Sequence, residues 1–280
     1  PEDYKEFGQK CGIPIKTASY SSEDGTFNSD NEYLTIINTA RVKRMDLMEY
    51  YDSRKNILDI ERGTLFLLSE ELNRFKKEKG LKDFTDLLED FIEKSLPGSF
   101  EVLFIDEAQD LSLLQWEMVR HLWKYAKKTY IAGDDDQAIF KWAGADVDHF
   151  IALKEEVNDI KVLDQSYRIP GGPIHELSQR IINKVQNRFV KEYKPRDEIG
   201  LLKRYSDITQ VDMSEGNWLV LSSANYFLDD AKDLCEIQGW YYQYKGFNSI
   251  PLKLLLALNN WENWRKGDLL NHLEIKNIYE

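Results

Sequence analysis

Two short apolar runs, each stopped abruptly by acidic residues, constrain this chain more than any other feature. Glu101-Val102-Leu103-Phe104-Ile105 ends at Asp106-Glu107, and Thr129-Tyr130-Ile131-Ala132 ends at Gly133-Asp134. Short runs that are apolar on both faces suit buried strands of a parallel sheet. Leu113 to Tyr125, between them, reads as a helix, and Val162-Leu163 as a third, weaker strand. Strands alternating with helices imply an α/β domain. In such domains ligands bind beyond the carboxyl ends of the strands, where both acidic loops fall.

The flanking segments differ in character. Residues 1–30 read as irregular, with the polar run Ser19 to Asp30. From Asn31 to about Lys79 the pattern is helical. Leu34, Ile37, Ala40 and Val42 form one stripe, and Leu65, Leu68, Leu72 and Phe75 another, closed by Gly80. Asp83 to Ser95 reads as a helix with Phe84, Leu87, Leu88, Phe91 and Ile92 on one side, and Ile174 to Val185 as another. Residues 186–216 are polar and linker-like. Trp218 to Leu221 then opens a strand–helix–strand unit through Tyr226–Gln238 to Tyr241–Tyr244.

Composition excludes several classes. Aromatics make up 12% of the 280 residues, too many for a disordered chain. The richest apolar run, Leu252 to Leu258, is short and broken by Lys253, so no membrane span is expected. Cys11 and Cys235 are far apart, which argues against a disulfide framework or zinc site and for a reducing, cytoplasmic compartment. A net charge of −12 weighs mildly against broad electrostatic binding of nucleic acid, yet leaves room for a local aromatic groove.

Chemistry concentrates in three places. An acid pair at a strand end can divide roles: Asp106 can hold Mg²⁺, and Glu107 can orient and deprotonate a water. Solvated strand-end acids are the plain alternative. The second loop carries Gln137, whose amide can bond a phosphate oxygen or a lytic water. Phe140 and Trp142 alternate with polar residues, so both can face one groove and stack on unpaired bases. Alternatively, Trp142 is a core residue and Asp134 to Asp136 a charged turn or the divalent-metal site of a sugar transferase. Third, Arg168 follows a strand and can reach the phosphate of a neighbouring nucleotide, or is simply a surface arginine.

Together these segments resemble the UvrD/Rep-type superfamily 1 DNA helicases. Asp106-Glu107-Ala108-Gln109-Asp110 matches the family's DExQD motif, its Walker B equivalent. Gly133-Asp134, Asp136-Gln137, Ile139-Phe140, Trp142 and Gly144-Ala145 match motif III, and Tyr167-Arg168 matches motif IV. Asp83 to Leu88 is similar to the DFxDLL helix that precedes Walker B. The resemblance implies an ATP-dependent enzyme that moves 3′→5′ on single-stranded DNA as two RecA-like domains close on ATP. By the same resemblance Asp106 helps hold Mg²⁺ and Glu107 activates water. Gln137 contacts the γ-phosphate, Tyr167 packs on adenine, Arg168 acts as an arginine finger, and Phe140 and Trp142 stack on DNA bases. Three positions depart from the pattern: Ala143 stands where many members have Arg, Gln165 where Asn is usual, and Phe140 where Tyr is commoner.

The family's phosphate loop, GxxxxGK(S/T), occurs nowhere in the 280 residues. With Pro1 at the start and an apolar-periodic stretch running to Glu280, the expectation is an internal piece of a longer helicase. Its partners would be single-stranded DNA or a duplex junction, and the N- and C-terminal parts of its own parent chain. On this reading 1–80 is a helical insertion, 81–165 the C-terminal half of the first RecA-like domain, and 166–280 the start of the second. The piece alone is expected not to hydrolyse ATP. Two alternatives stand beside it: the helicase portion of a helicase–nuclease, and a truncated, non-hydrolysing DNA-binding or regulatory protein.

Overall fold

Helix α1 (Glu2–Cys11), strands β1 (Ala18–Tyr20) and β2 (Phe27–Ser29), and helices α2 (Glu32–Val42), α3 (Leu47–Arg54) and α4 (Arg62–Lys79) come first in the computed structural model. The described residues are 2–21, 27–55 and 60–279. Leu34, Ile37 and Ala40 of α2 and Leu65, Leu68, Leu72 and Phe75 of α4 are buried together, as their helical spacing predicts. Asn31 caps α2 by accepting the Leu34 N–H at 3.2 Å. The segment read as irregular is instead part of this core. Phe7 of α1 is fully buried with its ring 5.6 Å from that of Phe75, and β1 pairs antiparallel with β2. The sequence signal was only Tyr4, Phe7 and Cys11, a thin stripe among polar residues. Part of the polar run, 22–26, and residues 56–59 of the helical stretch lie outside the described residues.

Helix α5 (Phe84–Lys94) starts with a capping box between Asp83 and Asp86. Of its expected apolar side, Phe84 and Leu87 are exposed while Leu88, Phe91 and Ile92 are half-buried, and polar contacts add to the hold. Lys76 Nζ lies 2.9 Å from Asp83 and 2.8 Å from Asp86, while Arg41 bridges Asp83, Asp86 and Glu89. Thr85, almost fully buried, donates to Asn38 Oδ1 at 2.8 Å, and Tyr20 Oη donates to the same oxygen at 3.0 Å. The helix is thereby pinned to α2 and α4 by charge and hydrogen bonds.

Strand β3 (Phe100–Ile105), helix α6 (Leu113–Trp123) and strand β4 (Ala126–Ile131) follow. The strands pair in parallel with Phe104 opposite Tyr130, and the loops that leave them lie side by side. Trp116 and Val119 of α6 pack with Ala108 and Leu153 against one side, with Ile105 and Ile131 joining them. The expectation that both faces are buried needs correction. Phe104 and Tyr130 stack at 5.2 Å but are 73% and 55% exposed, because the two-stranded ladder is covered on one face only. Helix α7 (Val147–Ala152) closes the second loop.

Strands β5 (Gln165–Gly171) and β6 (Lys194–Ile199) also pair in parallel, with helix α8 (Pro173–Ile182) between them. Val162-Leu163 is not a ladder strand; pairing begins where the Lys194 N–H donates to the Asp164 carbonyl. β6 falls inside the stretch expected to be linker. The chain divides into compact units 1–200 and 201–280. Residues 166–200 therefore group with the first unit, whereas the sequence reading draws a boundary after 165.

The second unit holds helix α9 (Asp229–Gln238), the hairpin β7 (Gln243–Tyr244) and β8 (Phe247–Asn248), and helices α10 (Leu252–Arg265) and α11 (His272–Tyr279). Asn260 joins the last two by donating to the Glu274 carbonyl. Trp218 to Leu221, expected as a strand, has no ladder partner among the described residues. No helix among the described residues is long and apolar enough to cross a membrane.

Candidate functional site

The backbone turns sharply where β3 ends. Asp106 and Glu107 are both exposed, and Glu107 sits in the left-handed region at φ 49°. A non-glycine residue there carries about 1 kcal/mol or more of strain and persists only when its surroundings hold it. They do. The Glu107 N–H donates to Asp106 Oδ1 at 3.0 Å, and the next N–H, of buried Ala108, donates to the Ala132 carbonyl at the end of β4. Gln109 follows, 1% exposed. Its Nε2 donates to Glu107 Oε2 at 2.8 Å and to Asp110 Oδ2 at 3.0 Å. Ser112 and Gln115 then form a capping box that launches α6.

The second loop is fastened to the first. Asp134 N–H donates to Gln109 Oε1 at 2.9 Å, and Gln137 Nε2 donates to Asp134 Oδ2 at 2.7 Å. A Cβ on Gly133 would lie 2.8 Å from Gln109 Oε1 and from the Phe150 ring, so only glycine lets the loops approach this closely. Further along, Gly144 adopts φ 111°, and a Cβ there would meet Val42 at 2.7 Å. Ala145 then bridges to Ser112, and Asp146 N–H donates to the Leu111 carbonyl. Glu107 and Gln137, expected from sequence on neighbouring strand ends, belong to one hydrogen-bonded unit.

Asp134, Asp135 and Asp136 are not a solvated turn. Arg188 grips Asp136 with two bonds, Nε to Oδ1 at 2.8 Å and Nη2 to Oδ2 at 2.6 Å, and both side chains are 6% exposed. Lys191 contacts Asp135 and lies 3.1 Å from Asp134 and from Asp136. The Phe189 N–H donates to Asp135, and Tyr193 Oη donates to Asp134 Oδ2 at 2.7 Å. Burial pushes the Asp134 carboxyl up, but hydrogen bonds from Gln137, Tyr193 and Lys191 outweigh it and hold it below the usual carboxylate range. Burial likewise pulls Lys191 down, and the three aspartates more than reverse that.

These shifts fix the sign of a pH dependence. The lowered Asp134 stabilises the fold above its ordinary value of 3.8, and that contribution is lost as pH falls through its folded value. The raised Lys191 stabilises below its ordinary 10.5, and its contribution is lost as pH rises through its folded value. Denaturant unfolding should therefore show Asp134→Asn losing less stability than the parent between about pH 5 and about pH 3. Parallel acid limbs for the two proteins would refute the assignment.

The aromatic pair divides. Trp142 is 65% exposed, and Phe140 is half-buried in a cleft lined also by Phe27, Val42, Phe84 and Ala143. Their ring centroids lie 6.3 Å apart. Trp142 is therefore no core residue, and Phe140 props it from behind. Tyr167 and Arg168 lie on β5, both exposed. Among the described residues the Arg168 side chain makes no hydrogen bond or ion pair, and nothing ties Tyr167 or Arg168 to the acid pair.

A family model described as the UvrD/REP helicase N-terminal domain matches residues 15–158, just over half of the chain. The chain belongs to the UvrD/REP helicase family. It is 25% identical over 235 residues to the ATP-dependent DNA helicase Rep of Buchnera aphidicola, covering 75% of this chain and 34% of that protein. Escherichia coli Rep is 24% identical over 197 residues (66% and 29%), and Staphylococcus epidermidis PcrA is 28% identical over 129 (42% and 16%). The chain spans about a third of the length of the first of these relatives.

For this UvrD/REP family chain, sequence reading missed Gln109 as a connector and missed Arg188, Lys191 and Tyr193 altogether. One signal was available. Three consecutive aspartates at a strand end need cations, and Arg188 and Lys191 stand three apart in a stretch dismissed as linker.

Proposed function

We propose that this segment is the Walker B–motif III–motif IV part of an ATP-driven DNA helicase that moves 3′→5′ on single-stranded DNA, built on RecA-like domains. One observation supports this above the others: Glu107 and Gln137 are joined through Gln109 and Asp134 at the carboxyl ends of two parallel strands. That is the geometry needed to grip both the attacking water and a terminal phosphate.

The donor set fits Mg²⁺–ATP. Asp106 offers an exposed carboxylate of the hard-oxygen kind that Mg²⁺ takes one or two at a time, with phosphate oxygens filling other positions. Bound Mg²⁺ supplies charge neutralisation on the phosphates. Glu107 orients the water and takes its proton, and Gln137 holds a terminal phosphate oxygen. Tyr167 covers the adenine and Arg168 supplies positive charge to the γ-phosphate, a role open to it because its guanidinium has no protein partner among the described residues. With no GxxxxGK(S/T) in its sequence, the segment hydrolyses ATP only as part of a chain that supplies one.

Trp142 is the exposed ring that stacks on DNA bases, with Phe140 beside it. In the full-length chain, Trp142→Ala should weaken single-strand binding by about 1–3 kcal/mol and reduce DNA-stimulated ATP hydrolysis. Fluorescence anisotropy at one fixed salt concentration measures the first effect. Unchanged affinity together with unchanged stimulation would remove Trp142 from the DNA path.

A further inference from the structure

We propose that Gln109 is a positioning residue: it sets the direction of the Glu107 carboxylate and couples that direction to the loop carrying Gln137. This rests on the reading of Glu107 as the group that activates water. Gln109 is the most deeply buried polar side chain in either loop, and its bonds run to Glu107, to Asp110 and to the Asp134 N–H of the loop that carries Gln137. Its amide has one orientation that works. The carbonyl accepts the Asp134 N–H while the NH₂ faces two carboxylates; reversed, it would set oxygen against oxygen and N–H against N–H.

Three further features hold it there. Gly133 leaves the space that Oε1 occupies, since a Cβ would come within 2.8 Å. The Ala108 N–H on the Ala132 carbonyl clamps the two strand ends on the other side. The left-handed backbone at Glu107 turns its carboxylate back to meet Nε2. Asp134 then passes the restraint on by accepting from Gln137 Nε2, so three consecutive hydrogen bonds of 2.8, 2.9 and 2.7 Å link Glu107 to Gln137. Through these bonds a shift of the second loop acts on the Glu107 carboxylate.

The test uses the full-length chain and steady-state ATP hydrolysis with saturating single-stranded DNA. Gln109→Met keeps length without donors. Gln109→Glu keeps an acceptor for the Asp134 N–H but loses the donor to Glu107. Both should lower kcat by about 10–100-fold with KM for ATP within about threefold of the parent. Thermal unfolding of each variant reports the folded fraction, to which kcat is normalised. In a Glu107→Gln background, Gln109→Met should cost less than about threefold more, because the group it positions is already disabled. A normalised kcat near the parent's for Gln109→Glu, or full additivity with Glu107→Gln, would overturn the proposal and leave Gln109 a core amide. If Glu107→Gln itself hydrolyses ATP like the parent, the reading of Glu107 fails, and that result is separate from the Gln109 comparison.

Discussion

Replacing Arg188 with alanine should destabilise the first unit by about 3 kcal/mol, one of the two largest effects expected from a single change in this chain. The guanidinium makes two bonds to Asp136 and a third from Nη1 to Asn183 Oδ1 at 2.9 Å. Removing it strands a carboxylate that is 6% exposed beside two other aspartates. Breaking a buried pair from one side costs about 3–5 kcal/mol, since the orphaned charge keeps its desolvation penalty. One thing draws the figure to the lower end: Lys191 stays 3.1 Å from Asp136 and still compensates part of its charge. In a unit of this size the melting temperature should fall by roughly 6–12 °C. Asp136→Asn should cost less, because it leaves a neutral amide against an arginine that can turn to water. The double variant Arg188→Met/Asp136→Leu should recover much of the loss, since replacing both charges removes the desolvation penalty as well as the attraction. A melting temperature within 2 °C of the parent for Arg188→Ala would mean that the pair contributes little.

That ion cluster also marks the limit of what the sequence discloses. The two strand-end loops were legible because an apolar run cut off by acids is a local pattern, and a parallel pair is the simplest way to bury it. The stripes of α2 and α4 were legible for the same reason. Arg188 and Asp136 are 52 residues apart, and no local periodicity links them. Their segment looked like linker because its polar residues are engaged by acids elsewhere in the chain. α5 was legible in part: Leu88, Phe91 and Ile92 of its apolar side are half-buried, while Lys76, Arg41 and the buried Thr85–Asn38 bond add a hold that no pattern announced. Polar pairing outside any repeating pattern contributes in both cases, and such pairing leaves no periodic trace. Gln109 is intermediate. Its position within DExQD was visible, but its role depends on the Asp134 N–H arriving from the neighbouring strand end.

Glu107→Gln is the second large effect, and it separates chemistry from binding. The substitution keeps the side-chain volume, the left-handed backbone and an oxygen able to accept from Gln109, so the fold and the link to the second loop should persist. What it removes is the capacity to accept a proton. Loss of a general base costs about 10²- to 10⁴-fold in rate, so on the proposed reading of Glu107 the kcat for DNA-stimulated ATP hydrolysis by the full-length chain should fall by that much. KM for ATP and single-strand affinity should hardly change, because neither nucleotide nor DNA gives up a contact in the ground state. Asp106→Asn should differ in kind: on the proposal that this carboxylate would hold Mg²⁺, its neutralisation should weaken nucleotide binding and shift the dependence on Mg²⁺ concentration upward. If Glu107→Gln retains kcat within about threefold, the water must be activated elsewhere.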